Sequence, residues 1–204
     1  MPDVANGSGL REHVMILSRF LRNPRSVGAL AASSQTVARI VADQLPDGPA
    51  RRIVELGPGT GALTGELMRR LGPDDRLLAL DVEEDFVKAL QERWPALEAV
   101  CGSAARLQEI ASEHGMPEVD HIISALPFST IPVDVTRQIL TAVERTLGPG
   151  GKFTTFQYLS AYPMPSASAF RREMTARLGA SPTLRFVFRN LPPCVVLTWQ
   201  RPRA

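Results

Sequence analysis

A glycine-rich segment with an acidic residue on either side is the chemically most informative part of this 204-residue chain. Glu55 lies at the end of a short apolar run, and three glycines follow it at alternate positions, Gly57, Gly59 and Gly61. Glycine lets a backbone turn tightly and approach a ligand closely. Twenty residues after Gly61, a second apolar run ends in Asp81, whose carboxylate can accept hydrogen bonds from ribose hydroxyls. The spacing therefore predicts a strand–turn–helix unit that binds a ribose-containing ligand.

Two well-known phosphate-binding motifs fit the glycine spacing less well. A dinucleotide fingerprint, G-x-G-x-x-G, needs its third glycine one position beyond Gly61, and a P-loop needs a longer spacer followed by Gly-Lys and Ser or Thr. A tight turn that binds nothing is the remaining alternative. The acids Glu55 and Asp81 argue against it.

The elements that must position these residues are predicted by apolar runs that alternate with helix-like stretches. This pattern is typical of an α/β, Rossmann-like sheet of seven strands with helices on both faces. Strands are expected near residues 52–56, 76–81, 97–100, 121–124, 152–158, 183–188 and 195–200, and the last two predict a closing hairpin. Helices are expected near 62–71, 84–93, 105–113, 133–147 and 168–177, with a turn at the Gly-Pro-Gly-Gly stretch 148–151.

Two further helices are predicted in residues 1–50, ahead of a core spanning residues 51–204. The second can be capped by Ser33 or Ser34. The first, at about residues 8–22, is amphipathic and basic, and such a helix can lie on an anionic bilayer. Its expected membrane contacts are Leu10, Arg11, Val14, Leu17, Arg19, Phe20, Leu21 and Arg22. The alternative is a helix that simply packs on the domain.

The net charge of +2 is unevenly distributed along the chain. Residues 1–52 carry seven basic and four acidic groups (+3), residues 53–144 seven and sixteen (−9), and residues 145–204 nine and one (+8). The basic ends suggest an anionic partner, which could be a membrane surface, a phospholipid headgroup or RNA. The only cysteines, Cys101 and Cys194, have no metal-ligand spacing and are expected to be inert core residues, and no apolar run is long enough to span a membrane.

The glycine segment, Glu55-Leu56-Gly57-Pro58-Gly59-Thr60-Gly61, resembles the first motif of the class I S-adenosylmethionine-dependent methyltransferases. The resemblance implies S-adenosylmethionine as the cofactor, with the turn holding its amino-acid end and Asp81 its ribose. The implied cofactor-binding residues are Ser34, Glu55, Gly57, Gly59, Thr60, Gly61, Asp81, Val82, Ser103, Ala104, Ser124 and Leu126.

Four pieces of the chain together resemble the bacterial phospholipid N-methyltransferases. They are residues 20–34 (Phe-Leu-Arg-Asn-Pro, Val-Gly-Ala and Ser-Ser), the glycine motif, residues 124–132 with Ser-Ala-Leu-Pro-Phe, and residues 189–193, Arg-Asn-Leu-Pro-Pro. This resemblance implies methylation of phosphatidylethanolamine and its mono- and dimethyl derivatives towards phosphatidylcholine, at the cytoplasmic inner face of the membrane and without nucleic acid. One departure is Ser103, where the family often has an Asp that accepts from the adenine amino group.

Two alternatives remain. The Leu126-Pro127-Phe128 sequence also resembles RNA adenine N6-dimethyltransferases, but Ser124 replaces the Asn or Asp that accepts from the target amine there, and a serine cannot reproduce that geometry. The Ser103 departure leaves open a membrane-associated protein that binds S-adenosylmethionine without catalysis.

The expected catalytic residue is Tyr158, at the end of the fifth strand, where its hydroxyl could accept from the substrate amine or its ring could contact a methylated ammonium. Arg189 is the first choice for a headgroup phosphate, ahead of Arg185 and Arg25, and Phe128 is a further substrate contact. His121, Trp94 and Trp199 are expected to be structural.

Overall fold

The computed structural model describes residues 35–48 and 50–203. Its centre is one seven-stranded sheet with the order β3-β2-β1-β4-β5-β7-β6. β1 to β5 are parallel, whereas β7 runs antiparallel to both of its neighbours, β5 and β6. The strands are β1 Arg52–Leu56, β2 Arg76–Asp81, β3 Glu98–Cys101, β4 Val119–Ser124, β5 Leu147–Tyr158, β6 Thr183–Val187 and β7 Cys194–Gln200.

Six α-helices of the described residues cover the two faces of the sheet. They are α1 at residues 35–42, α2 Ala62–Met68, α3 Glu84–Arg93, α4 Leu107–Glu113, α5 Val133–Thr146 and α6 Pro165–Leu178, with a 3₁₀ turn at Ala104–Arg106. Helices α1, α2 and α3 share one apolar core with the sheet, and α4, α5 and α6 share the other. Side chains alternate between the faces along each strand, so both faces of the central strands are apolar.

An aromatic cluster fills the core beneath α6. Phe170 stacks on Phe128 with ring centroids 4.2 Å apart and meets Trp199 edge to face at 5.9 Å. Phe153 lies against all three of these rings. The indole of Trp199 is fully buried and donates to Thr175 Oγ1 at 3.0 Å, which satisfies its one polar group. This cluster fixes the segment after β4 against α6.

The predicted seven-stranded fold is confirmed, including the closing hairpin. The main difference is at residues 148–151, where the sequence predicts a turn but the chain continues β5. Arg201 N donates to Gly151 O at 2.9 Å and Gly150 N donates to Pro202 O at 3.3 Å, so residues 201 and 202 pair with this stretch. Cys194 is buried as expected, but the expectation for Cys101 is wrong: it is exposed, because it ends β3, an edge strand of the sheet.

The predicted amphipathic helix at residues 8–22 lies outside the described residues. Helix α1 packs Val37, Ala38 and Val41 against the sheet core. No helix among residues 35–48 and 50–203 has the length and apolar character needed to cross a bilayer.

Candidate active site

The predicted site residues gather where the parallel strands end. β1 lies between β2 and β4 in the sheet. The loop that leaves β1 and the loop that leaves β4 each begin with a hydrogen bond to the end of a neighbouring strand. Gly57 N donates to Leu80 O at 2.9 Å, whereas Ala125 N donates to Leu56 O at 2.9 Å. The strand order reverses at this point, and in open α/β sheets the crevice outside such a point is the usual ligand site.

The three glycines of the loop after β1 have different structural reasons. All three have positive φ, between 52° and 81°. A Cβ at Gly57 would lie 2.9 Å from Leu126 Cδ2, and one at Gly61 would lie 2.7 Å from Leu90 Cδ2, so both glycines permit close packing. A Cβ at Gly59 would have no atom within 4 Å. Gly59 is therefore the glycine that exposes backbone to open space, where a ligand can approach.

Asp81 ties the end of β2 to the glycine loop. The residue is 8% exposed, and its Oδ2 accepts from Gly59 N at 3.0 Å while its Oδ1 accepts from Glu83 N at 3.0 Å. A carboxylate has about four acceptor sites, so each oxygen keeps capacity for a ribose hydroxyl. Asp81 is thus held in place by the backbone of the glycine loop, which the ligand would also contact.

Glu55 lies under the loop rather than beside it. The side chain is fully buried, and its Oε2 accepts from Thr64 Oγ1 in α2 at 2.7 Å, while Oε1 has no hydrogen-bond partner among the described residues. Burial raises the pKa of Glu55 to about 8, and the nearby Asp81 charge adds to the rise, whereas the bond from Thr64 opposes it. Glu55 therefore connects β1 to the helix that follows the loop. The sequence pattern does not single out Thr64, although it stands on the first turn of that helix, nine residues from the buried acid.

Trp94 is a second residue whose place in the site only the structure shows. A Cβ at Gly61 would lie 2.8 Å from its Cζ3, and one at Gly65 would lie 3.1 Å from its Cζ2. The indole therefore fills the space that the two glycines leave and supports the loop from behind. The expectation that Trp94 is a packing residue agrees with this position.

The segment after β3 brings Ser103 and Ala104 to the same edge. Ser103 Oγ accepts from Ala105 N at 3.3 Å and so caps the 3₁₀ turn, and Ala104 is buried in the core. Across from them, Val82 follows Asp81 and is 40% exposed. Gly102 N donates to Asp81 O at 2.7 Å, which holds the two strand ends together. The cofactor contacts expected from Val82 and Ser103 stay predictions.

The loop after β4 is ordered by its first residue. Ser124 is buried, its Oγ accepts from Leu126 N at 3.2 Å, and its carbonyl accepts from Thr155 Oγ1 at 2.9 Å. Leu126 leans towards Gly57. Phe128 differs from the expected substrate contact, because the residue is 3% exposed and its ring stacks on Phe170. The ring packs the core, and this placement corrects the expectation.

Tyr158 ends β5, two strands from β1, and is 36% exposed. Strands lie about 4.8 Å apart, so it stands roughly 10 Å from the glycine loop along the sheet edge. Burial raises the pKa of its phenol above the usual value, and Cys194 adds to the rise. Tyr158 is consequently a neutral hydroxyl at physiological pH, suited to hydrogen bonding rather than to acting as a phenolate base.

Arg189 lies farther from the glycine loop than Tyr158 does. Arg189 is exposed and follows β6, the outermost strand, which lies roughly 20 Å from β1 by the same spacing. Its role at a headgroup phosphate stays a prediction. His121 is fully buried, its Nε2 lies 2.8 Å from Thr154 Oγ1, and burial lowers its pKa to about 3, which agrees with a structural role. Ser34 and Arg25 lie outside the described residues.

The arrangement fits S-adenosylmethionine. The open space at Gly59, the carboxylate of Asp81 beside it and the polar turn after β3 form a continuous line along one edge of the sheet. These groups match the amino-acid, ribose and adenine parts of that molecule in order. Fold and site together define a class I S-adenosylmethionine-dependent methyltransferase.

Comparisons with known proteins agree. A family model described as a methyltransferase domain matches residues 53–151. An ornithine lipid N-methyltransferase of Singulisphaera acidiphila is 30% identical over 189 residues, which cover 90% of this chain and 93% of that protein. The chain therefore belongs to the S-adenosylmethionine-dependent methyltransferase family, and its cofactor is S-adenosylmethionine.

Two further relatives show how the likeness is distributed. A ribosomal RNA small subunit methyltransferase A of Burkholderia cenocepacia is 40% identical over 88 residues, which are 40% of this chain and only 32% of that protein. The crystal structure of the Burkholderia thailandensis 1,6-didemethyltoxoflavin-N1-methyltransferase, with bound 1,6-didemethyltoxoflavin and S-adenosylhomocysteine, has a TM-score of 0.71 at 16% identity. The match covers 99% of this chain and 93% of that chain, and it shows the shared fold.

Proposed function

We propose that this protein transfers methyl groups to the primary amine of a membrane lipid headgroup. The observation that carries the proposal is the extent of the likeness to the ornithine lipid N-methyltransferase, 93% of that protein's length, against 32% for the ribosomal RNA enzyme. Short matches of the second kind are expected from a shared cofactor site alone. A match over nearly the whole chain includes the segments outside that site, which select the substrate.

Phosphatidylethanolamine is the substrate that the sequence predicts, and the ornithine headgroup named for the relative also carries an alkylamine. Bound S-adenosylmethionine supplies an electrophilic methyl group. An alkylamine has a pKa of about 10.4, as in lysine, and must lose a proton before it can attack. The chain therefore has to hold the amine in line and accept a hydrogen bond from it.

Tyr158 is the residue best placed for that contact. Its neutral hydroxyl has lone pairs to accept from the amine, and its ring offers a face to the ammonium that results from methylation. The loop that begins at Ser124 leaves β4, which lies between β1 and the strand of Tyr158. Ser124 Oγ already accepts from Leu126 N, so it is committed to ordering the loop and is a poor substitute for the carboxamide of nucleobase enzymes.

The lipid substrate implies a cytoplasmic protein that acts at the inner face of the membrane. The predicted helix at residues 8–22 would contribute to this docking, and the basic charge of residues 145–204 would favour an anionic surface.

The decisive experiment measures labelled methyl transfer from S-adenosylmethionine to three acceptors, phosphatidylethanolamine, an ornithine lipid and ribosomal RNA, with buffer alone as the blank. We expect incorporation into one or both lipids and none into RNA. Incorporation into RNA alone would contradict the proposal. Tight cofactor binding with no incorporation into any acceptor would support the non-catalytic alternative instead.

Replacement of Tyr158 by Phe tests the amine contact. We expect the rate of lipid methylation to fall about tenfold, in line with the loss of one hydrogen bond to a polar or charged group, while the ring remains. Cofactor affinity measured by calorimetry should not change. The same assay on Arg189→Ala checks the predicted phosphate contact, which should appear as a higher KM for lipid. If both variants methylate lipid at the normal rate, the headgroup binds elsewhere.

A further inference from the structure

The large apolar side chains that remain exposed are concentrated at one edge of the molecule. Eight are exposed among the described residues: Val82, Val133, Tyr158, Met164, Leu184, Phe186, Phe188 and Leu191. All except Leu184 lie at the carboxyl ends of the parallel strands or in the loops that leave or enter there. Val82 and Tyr158 belong to the candidate active site. The others, apart from Leu184, lie along the same edge of the sheet.

Three of the exposed residues lie within six positions of one another in the chain, and we call them the edge patch: Phe186, Phe188 and Leu191. They are 53%, 72% and 66% exposed, and they occupy the end of β6 and the loop to β7. The rings of Phe186 and Phe188 are stacked, with centroids 6.0 Å apart and planes 10° from parallel. The two rings therefore present one continuous apolar surface, larger than a scattered surface residue would give.

The charges around the edge patch are basic. Arg185 alternates with the phenylalanines on β6, and Arg189 follows Phe188. Other basic groups of residues 145–204, such as Lys152, Arg201 and Arg203, lie at the opposite edge of the sheet, and the one acid of this segment, Glu173, is paired with Arg177. Of the acids at this edge of the sheet, Asp81 and the residues 83–85 that follow it lie on the other side of β1, and Asp134 lies in the first turn of α5, which follows β4. The β6 side of the edge is thus apolar and positive.

We infer that the edge patch docks on the surface of an anionic lipid bilayer and turns the active-site crevice towards the headgroups. Aromatic side chains combined with arginines suit the boundary between headgroups and acyl chains, where the rings enter the apolar layer and the guanidinium groups meet phosphates. The choice of a bilayer as the partner rests on the proposed function. The edge patch would contribute to membrane binding independently of the predicted helix at residues 8–22, which lies near the other end of the sequence.

Vesicle binding of the full-length protein tests this docking. The vesicles are an equal mixture of phosphatidylcholine and phosphatidylglycerol, and the variants are Phe186→Ser with Phe188→Ser, and Leu184→Ser as the control. Leu184 lies on the same strand and is 44% exposed, but near its other end. We expect the double variant to lower vesicle affinity by a factor on the order of ten or more, since each ring loses burial in the bilayer, and the control to bind as the wild type does.

A tryptophan placed at the patch gives a direct readout. Phe188→Trp should show fluorescence quenching by brominated lipids in these vesicles, beyond that of the parent protein, whose Trp199 is buried and whose Trp94 packs behind the glycine loop. Unchanged vesicle affinity in the double variant, or no added quenching at position 188, would overturn the inference. A wild-type dimer that becomes monomeric in the double variant with no change in vesicle affinity would also overturn it, because a second copy would then be the partner.

These readouts are independent of methyl transfer. Vesicle binding that depends on Phe186 and Phe188, together with no lipid methylation, would support the docking surface and reject the proposed function. Lipid methylation in detergent micelles, together with vesicle binding that does not depend on Phe186 and Phe188, would support the proposed function and reject the docking surface. Calorimetry with S-adenosylmethionine on each variant checks that the domain remains folded.

Discussion

At the scale of single residues, the glycines of the loop after β1 serve two different purposes, close packing and access for a ligand. Gly57 and Gly61 are packed against Leu126 and Leu90, so substitution there disturbs the fold as well as the site. A Cβ added at Gly59 would have no atom of the described residues within 4 Å. Only the positive φ of 52° disfavours a side chain at this position. The effect of a substitution on ligand binding can therefore be separated from its effect on stability at Gly59.

Gly179 provides the matched control, because its φ is 65° and a Cβ there would also lie in open space. We expect Gly59→Ala and Gly179→Ala each to lose about 1–2 kcal/mol of stability in denaturant unfolding, the cost of a left-handed alanine. Only Gly59→Ala should weaken S-adenosylmethionine binding, by a factor on the order of ten in calorimetry. Equal cofactor affinity in the two variants would show that the ligand does not approach this glycine.

Ser103 offers a gain of affinity rather than a loss. Its hydroxyl caps the 3₁₀ turn, and aspartate caps such turns equally well. We expect Ser103→Asp to keep the cap and to bind S-adenosylmethionine about tenfold more tightly, because a carboxylate accepts strongly from the adenine amino group. Ser103→Ala is the control, with a loss of about 1 kcal/mol of stability and little change in affinity. Weaker binding by the aspartate variant would place the adenine elsewhere.

At the scale of elements, buried Glu55 couples β1 to α2 through Thr64. Because burial raises the pKa of Glu55 to about 8, the folded protein holds a proton that the unfolded chain releases above about pH 4.3. This acid therefore lowers the free energy of unfolding as the pH rises from about 4.5 to 8. Buried His121, with its pKa lowered to about 3, acts in the opposite direction, since the unfolded chain takes up a proton below about pH 6.5.

Glu55→Gln isolates the first contribution, because an amide resembles the protonated acid. We expect thermal unfolding to show that the variant gains stability over the wild type between pH 5 and 8, by an amount on the order of a few kcal/mol at the upper end. Glu92→Gln, at an exposed position, should follow the wild type across the same range. A stability difference that does not depend on pH would mean that Glu55 is ionised in the folded protein.

At the scale of the whole molecule, the charge is arranged in blocks, with the acidic block in the cofactor half and basic blocks at both ends. Each basic residue near an anionic surface contributes about 1 kcal/mol, which falls as salt screens it. We expect deletion of residues 1–23 to weaken sedimentation with anionic vesicles and to leave S-adenosylmethionine affinity nearly unchanged. Added salt should weaken vesicle binding by the intact protein more than vesicle binding by the truncated protein. Equal sedimentation of the two would show that the N-terminal helix only packs on the domain.

Much of the fold and of the cofactor site could be predicted from the sequence, because the patterns that indicate them are local. The apolar runs of β1, β2 and β4 and the turn chemistry of Gly57, Gly59 and Gly61 lie within short segments of the chain. They identified the parallel sheet, the loop and the place of Asp81 at the end of its strand. The glycine stretch at residues 148–151 is the exception, since contacts with the distant chain end, such as that of Arg201, make it a strand.

The lateral order of the strands was decided only by the tertiary structure. That order places Arg189 after the outermost strand, farther from the glycine loop than Tyr158, and it leaves Cys101 exposed at the opposite edge. The ring of Phe128 turns into the core because Phe170, 42 residues later, stacks on it. Pairing between distant strands and packing of distant rings depend on the free energy of the assembled sheet, which no short segment of the sequence contains.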